Sequence, residues 1–461
     1  MKTILKIALA FVVLSAGAGI AAVNQTASRP LVNTGEAPEL GRLGSLSVGT
    51  NVALYEMPGR AKITMMGAVT GRLPIETRKL SVRFWYPATV AGTAPRALYR
   101  HVIVTPGKPD FVIEDRGIAV ENALALSGQR YPLVLMSHGY RGWSSRFSNL
   151  AENLASKGYV VAAIDHNDAA FNNVPSFQMS FGNVMLDRAL DQRQILTQIL
   201  AQASTATSGM AAQIDPDKVG LLGYSMGGFG ALATAGAPYD GTSKTIKALP
   251  AEAQRALMNT DSAVSGKIKA LVAIAPWGAQ PDNRSWRETD LAKIAAPVLL
   301  IAGDHDDVVD FKAGVSWLFN NLSGTDRHLL VFKEARHNVV GNPVEFDQNV
   351  DFSTVELFAE PVWRADRIGQ INHHFVTAFF DTNLKGESAK ATYLASAAIE
   401  AGQSEWPIGP GEQLGGKFAG TAQPKHWQGF QRRWAMGLQL HKGEKGITAA
   451  LGSQNPAPAP R

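Results

Sequence analysis

Residues 219–232 read VGLLGYSMGGFGAL, an apolar run that reaches Ser225 and leaves it through closely spaced glycines. A helix or strand would ordinarily carry larger side chains than the four glycines found here: Gly223, Gly227, Gly228 and Gly230. The pattern G-x-S-x-G is typical of a nucleophile elbow, a sharp strand-to-helix turn that presents a reactive serine. The same letters also occur by chance, so this interpretation depends on whether the other parts of a catalytic site follow in order.

The N-terminus has the three parts of a signal peptide. Lys2 and Lys6 form a basic region, residues 7–14 are apolar, and the small residues from Ser15 to Ala22 suit cleavage. The apolar run is short for a bilayer span and passes into Gly and Ala, which disfavours a membrane anchor. We therefore predict a signal peptide at 1–22 and a periplasmic or secreted mature chain without a stable membrane span.

The composition excludes several classes of function. The chain has 461 residues, 45% hydrophobic and 18% charged, which is ample for a large core. Its formal net charge of +5 includes the two signal lysines, and no Lys/Arg cluster stands out, so no nucleic-acid partner is expected. There is no cysteine, which excludes disulfides, a thiol nucleophile and a lipoprotein anchor. The sequence gives no indication of the oligomeric state.

Strand-like and helix-like runs alternate along the chain. Helical patterns lie at 146–158 and 184–203. Besides the run before Ser225, apolar or β-rich runs predict strands at 80–88, 131–139, 159–166, 268–277, 296–304 and 327–335. Repeated strand–helix–strand order predicts the α/β class with a doubly wound, mostly parallel sheet.

The composition along the chain predicts its organisation into segments. A polar linker is expected at 23–46, and a single catalytic domain at 47–400. Three lid-like insertions are expected in that domain, at about 166–186, 234–267 and 338–370. A C-terminal extension follows at 401–461; its residues 426–440 read as a packed helix, and its end, GSQNPAPAPR, as disordered.

Reactive groups in a parallel α/β sheet lie beyond the carboxyl ends of the strands. Ser225 follows one predicted strand, an aspartate cluster follows the strand at 296–304, and His337 follows the strand at 327–335. Serine needs an imidazole to accept its proton, and the imidazole needs a carboxylate to fix its tautomer. The spacing G-x-x-D favours Asp306 as that acid, with Asp304 as the alternative. The order Ser, Asp, His is the one typical of α/β-hydrolases.

The sequence offers donors for an oxyanion hole and an acidic run that resembles a metal-binding loop. Backbone N–H groups of Met226, directly after the serine, and of Tyr140, in the loop SHGYRGW at 137–143, are the expected oxyanion donors. The acidic run GDHDDVVD could suggest a calcium loop, but the glycine and terminal glutamate of such a loop are missing. The sequence therefore predicts no metal and no cofactor.

Several quoted segments together resemble a known superfamily. The chain is similar to α/β-hydrolases of the dienelactone-hydrolase type over about residues 80–385, in the segments YPLVLMSHGYRG, LASKGYVVAAIDHNDA, GYSMGGFGAL, AIAPW and RHNVV. Among these it resembles the platelet-activating-factor acetylhydrolase-like esterases and, more distantly, cutinase-type polyester hydrolases. The resemblance implies a serine carboxylesterase in which Tyr140 and Met226 frame the oxyanion and Trp277 lines the acyl pocket.

Two departures bear on the substrate. Dienelactone hydrolases proper use a cysteine nucleophile, whereas this chain has no cysteine. The polyester hydrolases are shorter and lack the segments at 234–267 and 338–370. We expect the insertions to wall a pocket over Trp277 and Ser225 with some of these side chains: Phe171, Phe177, Met179, Phe181, Leu249, Leu257, Phe346, Phe352, Leu357 and Phe358. A walled pocket favours a small-molecule or lipid-like ester with a small or medium acyl group. Polyester hydrolysis, phospholipid acetyl hydrolysis and a catalytically silent binding module are the alternatives.

Overall fold

The computed structural model describes residues 34–104, 110–258, 262–346, 350–395, 398–404, 426–431, 433–449 and 451. The signal peptide predicted at 1–22, residues 23–33 of the predicted linker and the predicted disordered end lie outside these described residues.

An eleven-stranded sheet is the central element of the described fold, and a two-stranded sheet accompanies it. The strands are β1 (Val48–Ala61), β2 (Ile75–Thr89), β3 (Leu98–Ile103), β4 (Phe111–Arg116), β5 (Val120–Glu121), β6 (Leu124–Ala125), β7 (Tyr131–Ser137), β8 (Val160–Ile164), β9 (Ile214–Tyr224), β10 (Ile268–Ile274), β11 (Val298–Gly303), β12 (Arg327–Phe332) and β13 (Leu438–Gly443). The order in the large sheet is β13-β12-β11-β10-β9-β7-β8-β2-β1-β5, with β6 paired to β2, while β3 and β4 form the separate hairpin.

Strands β7 to β12 are parallel, and antiparallel strands flank them on both sides. All residues of β7, β8 and β11 are buried, as expected of strands covered on both faces. The strand order reverses between β7 and β9, so the loops that leave these two strands border the crevice where α/β sheets place their ligands. The predicted α/β class with a mostly parallel sheet is confirmed.

Helices connect the strands. The α-helices are α1 (Met65–Thr70), α2 (Ser148–Ser156), α3 (Val174–Thr205), α4 (Gly209–Ala212), α5 (Met226–Thr234), α6 (Lys244–Lys247), α7 (Ala251–Met258), α8 (Ser262–Lys267), α9 (Glu288–Leu291), α10 (Ser316–Asn321), α11 (Phe352–Val355) and α12 (Ala365–Phe380). Short 3₁₀ or π turns occupy Glu39–Gly41, Ser144–Phe147, Pro281–Asn283, Phe311–Val315, Asp381–Lys385, Ser388–Leu394 and Ala401–Gln403.

Two predicted elements are longer than their sequence patterns indicated. The helix expected at 184–203 is α3, which begins ten residues earlier because Asn173 and Ser176 form a capping box and Pro175 lies in the first turn. The insertion expected at 166–186 therefore consists of eight loop residues followed by thirteen residues of α3. The strand expected at 80–88 is β2, whose fifteen residues continue through Pro87.

The predictions for the two ends of the domain were wrong in part. The described residues of this segment, 426–431 and 433–440, do not form the predicted helix; they lead into β13, which pairs antiparallel with β12 and buries Leu438 and Leu440. The predicted linker is packed where it is described, since Ala37 and Leu40 are buried and the Leu40 N–H donates to His374 Nδ1 at 3.1 Å. Both segments complete the domain instead of extending from it.

The β3–β4 hairpin was not predicted, and it changes the role of the insertion at 338–370. Phe111 and Ile113 of the hairpin form a small apolar cluster with Trp143, against which Phe346 and Phe358 of the insertion pack. Phe352 and Leu357 are exposed, and Leu257 is buried in the core. These five side chains of the predicted set therefore do not cover Trp277: Leu257, Phe346, Phe352, Leu357 and Phe358.

Candidate active site

Ser225 lies between β9 and α5 in a strained backbone conformation, with φ 52° and ψ −115°. The glycines on either side are required by packing. A Cβ on Gly223 would lie 2.4 Å from the carbonyl oxygen of Gly227, and a Cβ on Gly227 would lie 2.0 Å from that of Ser137. Neither residue could carry a side chain without moving backbone, so the glycine pattern seen in the sequence is explained by this turn.

His337 and Asp306 reach Ser225 from the ends of two other parallel strands. His337 follows β12, and its Nε2 lies 3.1 Å from Ser225 Oγ. Asp306 follows β11, and its Oδ2 lies 2.8 Å from His337 Nδ1. The Asp306 carboxylate is fully buried, and its Oδ1 accepts the N–H groups of Val308 and Val309 at 3.0 and 3.1 Å. The three side chains named from sequence thus form one hydrogen-bonded chain.

Asp304, the alternative acid, has a different partner. Its Oδ1 accepts the backbone N–H of Glu334 at 2.5 Å, which ties the end of β11 to the turn after β12. His305 Nε2 lies 4.0 Å from the same oxygen. Of the two aspartates weighed from sequence, the structure brings Asp306 and not Asp304 to His337.

Glu360, in the insertion at 338–370, holds the segment that carries His337. Its two carboxylate oxygens accept the backbone N–H groups of Arg336 and Asn338, each at 2.6 Å, one on either side of the histidine. The Tyr224 hydroxyl donates to the His337 carbonyl oxygen at 3.2 Å. Burial raises the pKa of the Glu360 carboxyl. Sequence reasoning missed this residue because its partners are backbone groups distant in sequence.

The loop after β7 lies directly beside Ser225. A Cβ on Gly139 would be 3.2 Å from Ser225 Cβ, a tight contact that glycine avoids. Met226 is the first residue of α5, where backbone N–H groups have no acceptor within the helix. The two backbone segments named as oxyanion donors, at Tyr140 and Met226, therefore flank the serine.

A buried network fixes the peptide group between Gly139 and Tyr140. The Gly139 carbonyl oxygen lies 3.1 Å from Arg188 Nη2 and 2.7 Å from His138 Nδ1. His138 Nε2 accepts the backbone N–H of His166 at 3.0 Å, which leaves the ring proton on Nδ1 to donate to Gly139. Since the N–H and C=O of a trans peptide point in opposite directions, the Tyr140 N–H is directed away from these donors.

Arg188 is itself held by Asp168 in a two-bond fork. Its Nη1 and Nη2 donate to the two Asp168 oxygens at 2.8 and 2.5 Å, and Asp168 Oδ2 also accepts the Arg141 N–H at 2.7 Å. Burial acts to raise the pKa of the Asp168 carboxyl, but the charge and hydrogen bonds of Arg188 outweigh it, so that pKa lies below its usual range. Sequence reasoning missed both residues, although Asp168 stands just after a predicted strand.

A cluster of aromatic side chains packs around Tyr140 and Trp277, next to Ser225. The Trp277 N–H donates to the Ser225 carbonyl oxygen at 3.1 Å, and its ring contacts Phe181 with centroids 5.2 Å apart. Phe181 in turn contacts the Tyr140 ring at 5.5 Å, and Phe171 and Phe177 join the same cluster. Trp277 is only 4% exposed because these rings cover it. The predicted insertion at 166–186 thus reaches the site.

The chain is similar to several known proteins. The PETase family, described as PET hydrolase-like, matches residues 125–261. Cutinase est1 of Thermobifida alba is 26% identical over 50% of this chain and 58% of its own length. The platelet-activating factor acetylhydrolase of Bos taurus is 25% identical over 24% of this chain and 33% of its own length. A solved ferulic acid esterase from Streptomyces cinnamoneus is 21% identical with a TM-score of 0.48, over 74% of this chain and 91% of that one.

The chain spans less than two thirds of the length of these curated relatives. The matched segment 125–261 holds the loop after β7, the helix α3 and the turn at Ser225. The resemblance to acetylhydrolases and cutinases stated from sequence is confirmed by these matches. With its parallel strands β7–β12 and the serine turn after β9, the chain has the α/β-hydrolase fold, and its sequence is similar to those of cutinases.

Proposed function

We propose that the chain is a carboxylic ester hydrolase that works through an acyl-enzyme on Ser225. The observation that carries this proposal is the chain of hydrogen bonds from Ser225 through His337 to Asp306 at a strained turn. Acyl transfer needs a serine whose hydroxyl proton can pass to an imidazole, and a carboxylate that orients this imidazole. Ser225, His337 and the buried Asp306 have this arrangement. The relatives named cutinase and acetylhydrolase support the same reaction class.

The reaction begins when Ser225 Oγ attacks the ester carbonyl carbon while its proton passes to His337 Nε2. Asp306 accepts the Nδ1 proton in a hydrogen bond and stabilises the imidazolium. The negatively charged oxygen of the tetrahedral intermediate accepts hydrogen bonds from the backbone N–H groups of Met226 and Tyr140. The dipole of helix α5, whose N-terminus lies at Met226, also stabilises this negative charge. Collapse breaks the bond to the alcohol oxygen, which leaves with the proton from His337.

Water then completes the cycle. His337 takes a proton from the attacking water, the second tetrahedral intermediate collapses, and Ser225 Oγ leaves the acyl carbon and regains its proton. The products are a carboxylic acid and an alcohol, and no redox step or cofactor is involved. We propose small and medium acyl esters as substrates, since Trp277 and its aromatic cover enclose one side of the site.

Covalent labelling tests the proposal. A fluorophosphonate should add one equivalent to the protein, and Ser225→Ala should abolish both labelling and hydrolysis of p-nitrophenyl acetate. Ser144→Ala, which changes a serine near the same loop, is the matched control and should be labelled like the wild type. Labelling that persists in the Ser225 variant would overturn the proposal, and a folded protein that neither labels nor hydrolyses any ester would favour a silent binding module.

We also propose export to the periplasm or beyond, on the basis of the predicted signal peptide at 1–22. No helix among the described residues is long and apolar enough to cross a membrane. Mass spectrometry of the mature protein should give an N-terminus near residue 23. Recovery of the soluble chain with Met1 intact would contradict export.

A further inference from the structure

A second chain of serine, histidine and aspartate lies inside the domain, behind the loop that follows β7. His166 Nδ1 lies 2.8 Å from Asp191 Oδ2, and His166 Nε2 lies 2.7 Å from Ser137 Oγ. The connectivity is the same as in the chain that begins at Ser225. Ser137, His166 and Asp191 are only 2%, 0% and 0% exposed, so no ester can reach this serine. The buried chain is therefore not a second active site, and its role must be structural.

The surroundings fix where the protons of this buried chain lie. Arg60 donates to the Asp191 carboxylate at 2.8 Å, and Arg78 donates to it at 2.9 and 3.0 Å. Burial acts to raise the pKa of this carboxyl, but the charge of Arg78 and the hydrogen bond of His166 outweigh it, so the group is ionised. Burial lowers the pKa of His166 to about 3, so its ring is neutral. A neutral ring that donates from Nδ1 accepts at Nε2, which takes the hydrogen bond of the Ser137 hydroxyl.

His166 also holds the loop that carries one expected oxyanion donor. Its backbone N–H donates to His138 Nε2 at 3.0 Å, and His138 Nδ1 contacts the Gly139 carbonyl oxygen at 2.7 Å. Its ring holds the hydroxyl of Ser137, the last residue of β7. The Tyr140 N–H belongs to the same peptide group as the Gly139 carbonyl. The position of this donor therefore depends on a residue that lies outside the loop.

Helix α3 also holds the segment of the other expected donor, the Met226 N–H. Gln192 of α3 donates from Nε2 to the Gly227 carbonyl oxygen at 3.0 Å, in the first turn of α5. Its Oε1 accepts the Thr234 hydroxyl at 3.0 Å, at the last residue of that helix. A Cβ on Gly230 would lie 2.7 Å from Gln192 Nε2, so the two helices pack closely where they cross. One side chain of α3 thus fixes both ends of α5.

We infer that α3 sets the separation between the two oxyanion donors, with His166 and Gln192 as positioning residues, a role that rests on the proposed function. Anchored to Asp191 on α3, His166 holds the loop at Tyr140. Gln192 holds the helix that begins at Met226. Donors that are already in place need no reorganisation when negative charge develops on the ester oxygen. Because this charge appears in the transition state, loosening a donor lowers kcat and leaves KM nearly unchanged.

Two variants loosen one donor each. Gln192→Met keeps a side chain of similar size but cannot donate to α5, and His166→Phe keeps a flat ring that can form neither hydrogen bond. Loss of a donor outright lowers kcat by about 100–1000-fold, so each displacement should lower it by about tenfold, with KM within about twofold. Arg193→Met is the matched control. Arg193 is also buried on α3 and donates to α5, but at the Ala233 carbonyl oxygen near the far end of that helix.

The test separates positioning from stability. Fluorophosphonate labelling to completion counts the reactive Ser225 groups, so kcat for p-nitrophenyl acetate is expressed per titrated site and does not register unfolded protein. A trifluoromethyl ketone then probes the oxyanion hole. Ser225 Oγ adds to its carbonyl carbon, the serine proton passes to His337 Nε2, and the carbonyl oxygen becomes the oxyanion. In Gln192→Met and His166→Phe the inhibition constant should rise by the factor by which kcat/KM falls. In Arg193→Met, kcat per site and the inhibition constant should keep their wild-type values, whatever the melting temperature.

The possible failures can be told apart. If the two folded variants keep the wild-type kcat per titrated site, or change KM alone, α3 does not position the donors, while labelling of Ser225 leaves the proposed function intact. An equal loss of kcat in Arg193→Met would show a general loosening of α3 and would refute the positioning role as well. If His166→Phe does not fold, Gln192→Met decides the matter. A wild-type protein that is neither labelled nor active on any ester would overturn the proposed function together with this role.

Discussion

Replacing Asp306 by asparagine separates the charge of this residue from its position. The two oxygens of Asp306 have different partners: Oδ1 accepts the N–H groups of Val308 and Val309, and Oδ2 faces His337 Nδ1 at 2.8 Å. In Asp306→Asn the amide oxygen must stay with the two backbone donors, because the NH₂ group cannot accept them. The NH₂ group then faces His337 Nδ1.

That orientation forces the wrong tautomer on the histidine. To accept a hydrogen bond from the amide NH₂ group, His337 Nδ1 must carry a lone pair, so the ring proton moves to Nε2. Nε2 lies 3.1 Å from Ser225 Oγ, and once protonated it can no longer accept the proton of the serine hydroxyl. We expect kcat to fall by about three to four orders of magnitude, or roughly 4–5.5 kcal/mol, as for the equivalent tautomer change in other triads. The fold should be retained because both backbone hydrogen bonds survive.

Asp304→Asn is the matched control. Its amide oxygen can keep the bond to the Glu334 N–H, so we expect a change of about twofold, within roughly 0.5 kcal/mol. Steady-state hydrolysis of p-nitrophenyl acetate and the rate of fluorophosphonate labelling measure both variants, and melting temperatures check their folding. Asp306 is not the residue that orients His337 if Asp304→Asn lowers kcat more than Asp306→Asn does, or if a folded Asp306→Asn variant retains more than about a tenth of the wild-type kcat.

Three further predictions follow from the buried contacts. Arg188→Lys removes the fork to Asp168 and loosens the Gly139 carbonyl, so kcat should fall about 10–100-fold with little change in KM; steady-state kinetics with an unchanged kcat would contradict this role. Burial lowers the pKa of His373 and His374 to about 3, so each contributes stability above pH 6.5 that is lost as the pH falls toward 3, by about 1.4 kcal/mol per pH unit. Urea unfolding from pH 7 to 4 measures this loss, and a flat profile would show that these histidines are not neutral in the fold. Because Trp277 is covered by Phe181, product release from polyester film should be small beside hydrolysis of soluble short-chain esters; film hydrolysis equal to that of a cutinase would refute the covered site.

The sequence predicted what depends on local pattern. Buried parallel strands are continuous apolar runs, and the tight packing of Gly223 and Gly227 leaves a glycine signature around Ser225. The candidate acid and base were found because Asp306 and His337 directly follow such strands. For these residues, the position in the chain already fixes the position at the sheet edge.

What depends on distant partners could not be read in this way. Arg188 lies within a helix, and nothing near it in sequence indicates that it binds the Gly139 carbonyl 49 residues upstream. The six residues Leu438–Gly443 are too few for their pattern to distinguish a strand from a helix. They form a strand because they pair with β12, which is distant in sequence. The insertion at 338–370 carries aromatic residues that suggested a lid, but the hairpin β3–β4 supplies the surface that they pack against.

The pairing of β12 with β13 has a consequence for how the chain reaches its native state. β12 carries the apolar run Leu329–Phe332, all buried, and its partner Leu438–Gly443 is made only after a further hundred or so residues. Until that segment arrives, the nascent chain presents an unpaired hydrophobic edge of the kind that recruits other chains into aggregates. A chain that stops before β13 should therefore aggregate more readily than the full chain.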